Sequence, residues 1–430
     1  MSEVLSLFIT IGGIIFLGYL GSLFFDKTKI PDLLILIAAG ILLGPVLGVA
    51  DTAFFASLTP FFAALALVVL LFDGGLNLNF ARVVNELGRA FVFTIACFVL
   101  STLLVAGVMV LVFGWPLLFG LLLGAVVGGT SSAVVIPLVG KISGNEQTKT
   151  VLKLESALTD ALCVITAIAV IEIILARVTT IGEIGNSLIG AFSIAAVVGI
   201  IASIIWLAVL QRLKGVEFDY LLTLGTVFLL YAVVEGVKGN GAIAVLVFGI
   251  ALGNAERIAI ALNQDPEKYV LEEDIRKFQT EVSFFVRTFF FVYLGLLFDL
   301  YHVSPGAVAV AVVILIAILA SRGAITRLLI PGGNAGDRML SFIMIPRGLA
   351  AAVLASLPFT MGITLDAYPF LIVFAQAVFL VILFTNVITT VGVFKYEQQY
   401  GRAYLPQAAA AQARQAGQPK VISTKNAQKR

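Results

Sequence analysis

Apolar runs of bilayer length follow one another along almost the whole chain, separated by short polar or glycine-rich breaks. They fall at roughly 4–24, 31–49, 55–72, 90–113, 116–139, 148–176, 185–210, 219–235, 240–255, 277–298, 306–330, 339–358 and 366–394. A spanning helix needs about 20 mostly apolar residues. The pattern therefore predicts an all-α polytopic membrane protein with about 13 transmembrane helices. The narrowest separation is Glu235 to Asn240, between the eighth and ninth runs. No basic segment precedes the first run, so it reads as a retained helix rather than a cleaved signal.

Charge between the runs sets an orientation. With the N-terminus outside, the inner connections carry Lys27, Lys29, Arg82, Arg89, Lys141, Lys149, Lys153, Arg212, Lys214, Arg257, Lys268, Arg276, Lys277, Arg327 and Arg338. Lys395, Arg402, Arg414, Lys420, Lys425, Lys429 and Arg430 follow on the same side, and only Arg177 and Lys238 fall outside. Basic residues are retained on the cytoplasmic side. The expectation is N-out and C-in, with an odd number of spans. Residues 400–430, rich in Ala, Gln, Lys and Arg, read as a disordered basic cytoplasmic tail resting on anionic lipid.

Composition agrees with a membrane solvent. Hydrophobic residues make up 60% of the chain and charged residues 12%, against about 25% charged in soluble domains. A net charge of +2 gives no reason to invoke nucleic acid. Cys97 and Cys163 lie in apolar runs and read as small buried hydrophobes. His302 is the single histidine, which excludes a histidine-based metal or catalytic cluster. No Walker loop, dinucleotide fingerprint or nucleophile elbow is present, so neither nucleotide nor cofactor is expected.

Glu155, Asp160, Arg287, Arg322 and Arg347 stand inside apolar runs. Charge at that depth is costly and is usually functional or paired. The sixth run contains Leu154-Glu-Ser-Ala-Leu-Thr-Asp-Ala161. Residues i and i+4 share a helix face, so Ser156 groups with Asp160 and Glu155 with Thr159. Asp160 lies about 12 residues into the helix, roughly 18 Å along it and near mid-membrane. A carboxylate flanked by hydroxyl oxygens suits a small hard cation. The same carboxylate can instead take a proton, because burial disfavours its charged form. One site that holds either a cation or a proton is the minimum requirement for exchange. Glu155 reads differently, as a group that a nearby arginine holds in a structural ion pair.

The fifth run combines a small-residue ladder, Gly120, Gly124 and Gly128, with the polar stretch Gly128-Gly129-Thr130-Ser131-Ser132. The ladder permits close helix contact. The stretch after it can break a helix in mid-membrane, because hydroxyls cap the freed amides. The twelfth run carries a second candidate break, Ile345-Pro346-Arg347-Gly348. Paired interrupted helices point to a mid-membrane site in an inverted-repeat transporter. Gly40/Gly44 and Gly249/Gly253 read as packing positions.

These residues resemble the cation:proton antiporter superfamily, and within it the NhaP/NHE-type sodium/proton antiporters. Ile30-Pro-Asp through Gly40-Ile-Leu-Leu-Gly-Pro45 is similar to the family's second-helix signature. Glu155-Ser-Ala-Leu-Thr-Asp160 is similar to Glu-Ser-x-x-Asn-Asp, Ser321-Arg-Gly323 to the Ala-Arg-Pro-Leu-Gly segment, and Pro346-Arg-Gly348 to the interrupted-helix motif. The resemblance implies the NhaA/NhaP-like fold. An exchanger domain would span 1–399, with inverted-topology repeats at about 1–177 and 219–395 joined by a linker helix at 185–210. It implies a homodimer in the cell membrane, with a core domain sliding against a dimerisation domain. Asp160 would be the transport carboxylate, Ser156 an ion ligand, and Glu155 the partner of Arg322. Thr159, Thr130 and Ser131 would complete the ion-binding set, with Gly128, Gly129, Ser132, Pro346, Arg347 and Arg287 in support.

Two departures bear on selectivity. Where the family usually reads Thr-Asp-Pro, this chain has Thr130-Ser131-Ser132, and the Asn before the key Asp is Thr159. The leading expectation is electroneutral exchange of Na⁺ for H⁺, with K⁺ or Li⁺ as alternative substrates. A cation channel or a transport-dead sensor of the same fold are the competing classes.

Overall fold

The computed structural model describes residues 3–28, 31–48, 58–77, 80–175, 181–213, 218–237, 239–261, 263–269, 271, 273–298, 300–329 and 334–401. The basic tail from 402 onward lies outside the described residues. So do Lys29, Arg177, Lys214 and Lys238 of the loop charges.

Among the described residues the regular structure is helical. α1 (Glu3–Thr28), α2 (Asp32–Ile41, continued by one π turn over Leu42–Val46) and α3 (Thr59–Asn77) come first. α4 (Phe80–Phe113), α5 (Leu117–Gly128), α6 (Ser132–Lys141) and α7 (Glu146–Ile174) follow. α8 (Ile181–Arg212) leads to α9 (Asp219–Gly236), α10 (Gly241–Gly253), the short α11 (Ala255–Ala261) and α12 (Glu273–Leu297). The chain closes with α13 (Pro305–Leu329), α14 (Ala335–Ile343), α15 (Leu349–Thr360) and α16 (Leu371–Tyr396). The fifth and twelfth apolar runs are each broken into two half-helices, at 129–131 and 344–348. α3 runs five residues past the apolar run expected there, and so takes Asp73 and Asn77 into a helix.

Packing divides the helices into two bodies. α2 and α3 pack on α12 and α10, and α10 on α8 and α9, to form a scaffold. α4 packs on α5, α7 and α13, and α6, α14, α15 and α16 join them as a core. The bodies meet chiefly where α15 crosses α3 and α12. Chain order visits scaffold then core, and then scaffold and core again.

Small residues let helices approach closely within each body. A Cβ at Gly124 would overlap the Thr102 carbonyl of α4. One at Gly40 would overlap the Val292 carbonyl of α12. Gly249 and Gly253 do the same on α10 against α3. The outward surface is apolar: Ile200, Ile204 and Ile205 on α8, Leu229 and Val233 on α9, and Leu103 and Leu111 on α4 are exposed. Eight segments among the described residues are long and apolar enough to cross a bilayer. In lipid this surface needs no polar cover, and the backbone is satisfied inside each helix.

Candidate cation and proton site

The two helix breaks cross in the core and bond to each other. Gly129 and Ser131 are extended, and the Ser131 amide donates to the Pro346 carbonyl at 2.8 Å. Gly348 sits so tightly against Ser131 that a Cβ there would overlap the Ser131 hydroxyl. A side chain at 348 would therefore push the breaks apart.

Half-helices present unsatisfied carbonyls at one end and unsatisfied amides at the other. The buried Arg347 serves the carbonyl ends. Its Nε donates to Val127 O at 2.6 Å, Nη2 to Gly128 O at 3.4 Å and Nη1 to Ile345 O at 3.0 Å. A cation there also opposes the negative ends of the helix dipoles. α16 supports the second break with three fully buried polar residues. Thr385 Oγ1 accepts from the Arg347 amide at 3.0 Å, Asn386 Nδ2 donates to Arg347 O at 2.6 Å, and Thr389 Oγ1 donates to Ile343 O at 3.1 Å.

Asp160 faces the amide ends. Its Oδ2 accepts the Ser132 amide, the first N–H of α6, at 3.1 Å, and also the Ser132 hydroxyl. The carboxylate thus sits at the positive end of a half-helix with neutral donors. It lines a cavity of about 640 Å³ between core and scaffold. The core wall includes Ser131, Ser132, Lys153, Asp160 and Leu349, and the cavity extends to Glu146 at the exposed start of α7. The hydroxyl-rich first break brings the Ser132 amide to this wall, and the seven-residue spacing from Lys153 to Asp160 keeps both on one face of α7.

Glu155 lies on the same helix but meets none of this space. It is 2% exposed and forms a two-pronged ion pair with Arg322 of α13, Nη2 to Oε2 at 2.9 Å and Nη1 to Oε1. The arginine is fixed further by Nε donating to Ser341 O at 2.7 Å and by the Phe93 ring 5.0 Å from its guanidinium carbon.

Of the hydroxyls expected in the ion-binding set, Ser131 lines the cavity with Asp160, whereas Ser156, Thr159 and Thr130 do not line it. Ser156 is fully buried and donates to the Lys153 carbonyl of its own helix at 3.0 Å. Thr159 accepts the Thr130 amide at 3.1 Å, with the two hydroxyls 3.5 Å apart. Thr159 and Thr130 hold the first break from behind, and Ser131 and Ser132 reach the cavity. Sharing a helix face with Asp160 did not suffice for Ser156, whose hydroxyl bonds its own helix backbone. Gly128 and Gly129 sit at the break itself, Gly129 packed against Thr159 and Cys163.

One residue was missed. Asp73 of α3 lines the scaffold wall of the cavity with Asn77, Ser283 and Arg287. Asn77 Nδ2 donates to its Oδ1 at 3.0 Å, and Ser283 and Arg287 stand beside it. An acid directly after Leu70-Leu-Phe72 was the available signal. It was lost because the apolar run was ended at 72, one residue short.

Two crossed interrupted helices behind a part-buried carboxylate, on a core packed against a separate scaffold, define a secondary transporter of the interrupted-helix class. Residues 12–394 match the family described as "Sodium/hydrogen exchanger, transmembrane", and the chain belongs to that family. It is 26% identical over 375 residues to the probable Na(+)/H(+) antiporter 2 of Methanocaldococcus jannaschii, covering 81% of this chain and 85% of that one. Over 236 residues it is 31% identical to the K(+)/H(+) antiporter NhaP2 of Shewanella sp. (strain ANA-3), covering 53% of this chain and 40% of that one. The solved structure of the sodium proton antiporter MjNhaP1 from M. jannaschii at pH 8 superposes with a TM-score of 0.73 at 22% identity, over 92% of this chain and 99% of that one. That likeness shows the fold. Family membership makes the chain a multi-pass membrane transporter that exchanges a monovalent cation for protons, rather than a catalyst of covalent chemistry.

Proposed function

We propose that the chain exchanges one Na⁺ for one H⁺ by alternating access, with Asp160 as the carboxylate that carries either. The observation that carries this reading is the partner of Asp160. Ser132, a neutral donor, holds it at the wall of a cavity that extends to the exposed end of α7. A neutral partner leaves the carboxylate exchangeable. Ser131 and Ser132 offer oxygens on the same cavity wall, and Thr159 and Thr130 hold the break that positions them. No cofactor enters the cycle.

Electroneutrality follows from a charge count. Thr159 beside Asp160 is neutral, and Arg322 keeps its proton because arginine is always charged in proteins. Glu155, paired with it, stays ionised. Only Asp160 then changes state. A voltage does about 2.3 kcal/mol of work per moved charge per 100 mV, and it would do none on this cycle.

A second reading, K⁺/H⁺ exchange, is favoured by Ser131. It stands where the family pattern has an acid, which leaves the core wall with more neutral oxygens, and the NhaP2 relative is named for K⁺. The charge tally supports a cell-membrane protein with N-out and C-in topology. The repeated scaffold-then-core order supports inverted repeats about a linker at α8, and membership of the exchanger family supports a homodimer.

The test is proteoliposome flux with an internal pH dye, adding Na⁺, K⁺ or Li⁺ outside, with and without a clamped potential. Cation-driven proton movement unaffected by voltage is expected. A channel would conduct without a proton gradient, and a sensor would bind without flux. A voltage-dependent end-point would show that a second charge moves.

A further inference from the structure

Ser132 gives both of its donors to one oxygen of Asp160, the amide at 3.1 Å and the hydroxyl alongside it. The two donors are not equivalent. A backbone N–H can only donate, and here it is fixed at the first turn of α6. A hydroxyl can donate or, after rotating, offer its lone pairs. A cation that approaches Oδ2 repels both hydrogens. The amide cannot turn away, whereas the hydroxyl can, and its oxygen already lies in contact with the carboxylate.

We propose that Ser132 is a specificity-determining ligand of the exchange site, its hydroxyl donating to Asp160 when the site is empty and coordinating the cation when it is filled. The inference rests on Asp160 being the carrier. It gives the cation two oxygens, Asp160 Oδ2 and Ser132 Oγ, at a separation set by a helix start packed against Pro346 and Gly348 rather than by a pliable loop. A helix start held in place limits how far Ser132 can move from the carboxylate, and so favours one ionic radius over others. The remaining charged groups on the cavity, Asp73 and Arg287 across it and Lys153 and Glu146 further along α7, are the same in every variant below.

The measurement is the half-saturating concentration and maximal rate for Na⁺, K⁺ and Li⁺ in proteoliposomes, with cation-induced thermal stabilisation of the purified protein as a second readout. Ser132→Ala should raise the half-saturating concentration of the preferred ion about tenfold, the worth of one lost polar contact. The maximal rate should fall less, and the preference among the three ions should change by more than about threefold. Ser132→Cys, nearly isosteric but with a poor donor and a soft sulfur, should behave like Ser132→Ala. Ser132→Thr keeps the hydroxyl and should retain both affinity and preference. Unchanged affinity and preference in the Ala and Cys variants would overturn the proposal, as would equal losses in Ala, Cys and Thr, which would mark a packing role at the helix start. Asp160→Asn separates this from the underlying reading. If that variant is dead while Ser132→Ala matches the parent, the carrier stands and the ligand falls. If Asp160→Asn still exchanges, the carrier itself is wrong.

Discussion

Two carboxylates five residues apart on α7 have opposite fates. Glu155 is sealed in the core by a charged, two-pronged partner on α13, away from the cavity. Asp160 lines the cavity, and its partner is a neutral serine at the start of a half-helix. The same side-chain chemistry, in the same helix, is thus structural in one place and exchangeable in the other. Two variables separate them. One is the charge of the partner, which decides whether the carboxylate can be neutralised without stranding another charge. The other is access to the cavity, which decides whether a cation or a proton can arrive.

Four experiments break or sharpen that contrast, from the largest effect to the smallest. Asp160→Asn should abolish cation-driven proton flux while leaving the protein folded, since an amide can neither bind a proton nor balance a cation. Flux above about one hundredth of the parent's would remove Asp160 from the cycle. Glu155→Gln should act on stability instead. Removing one partner of a buried pair typically costs about 3–5 kcal/mol, because the other charge is left behind. Its melting temperature in detergent should fall well below that of Asp160→Asn, and equal melting would mean that the pair contributes nothing.

The third experiment concerns pH. If proton and cation compete for one carboxylate, the half-saturating cation concentration rises as pH falls, approaching about tenfold per pH unit where the protonated form dominates. At high pH the rate should fail for want of a proton to return. A half-saturating concentration that stays flat from acid to alkaline pH would show that Asp160 does not titrate in the cycle. Last, Ser156→Ala should change half-saturation by less than about twofold, because the Ser156 hydroxyl bonds a carbonyl of its own helix and does not line the cavity. A loss as large as that from Ser132→Ala would mean that the hydroxyl swings into the site during transport.

Much of this was open to reading along the chain. Helices without lipid-exposed backbone are the solution a bilayer allows, so long apolar runs determined the class of fold and nearly every element. Intramembrane charge is costly, so Glu155, Asp160, Arg322, Arg347 and Arg287 marked the functional region before any coordinates. A glycine and hydroxyl cluster marked the first break, and Pro346-Arg347-Gly348 marked the second. What only the tertiary structure decided is who faces whom. Helical periodicity grouped Ser156 with Asp160, but the crossing of two breaks placed Ser132 at the carboxylate and Ser131 on the cavity wall, while Ser156 bonds its own helix backbone. Asp73 became part of the site because α3 extends beyond its apolar run and packs across the cavity from α7. Sequence spacing reports neighbours within one helix, whereas a transport site is assembled from several helices, and the packing of whole helices sets those distances.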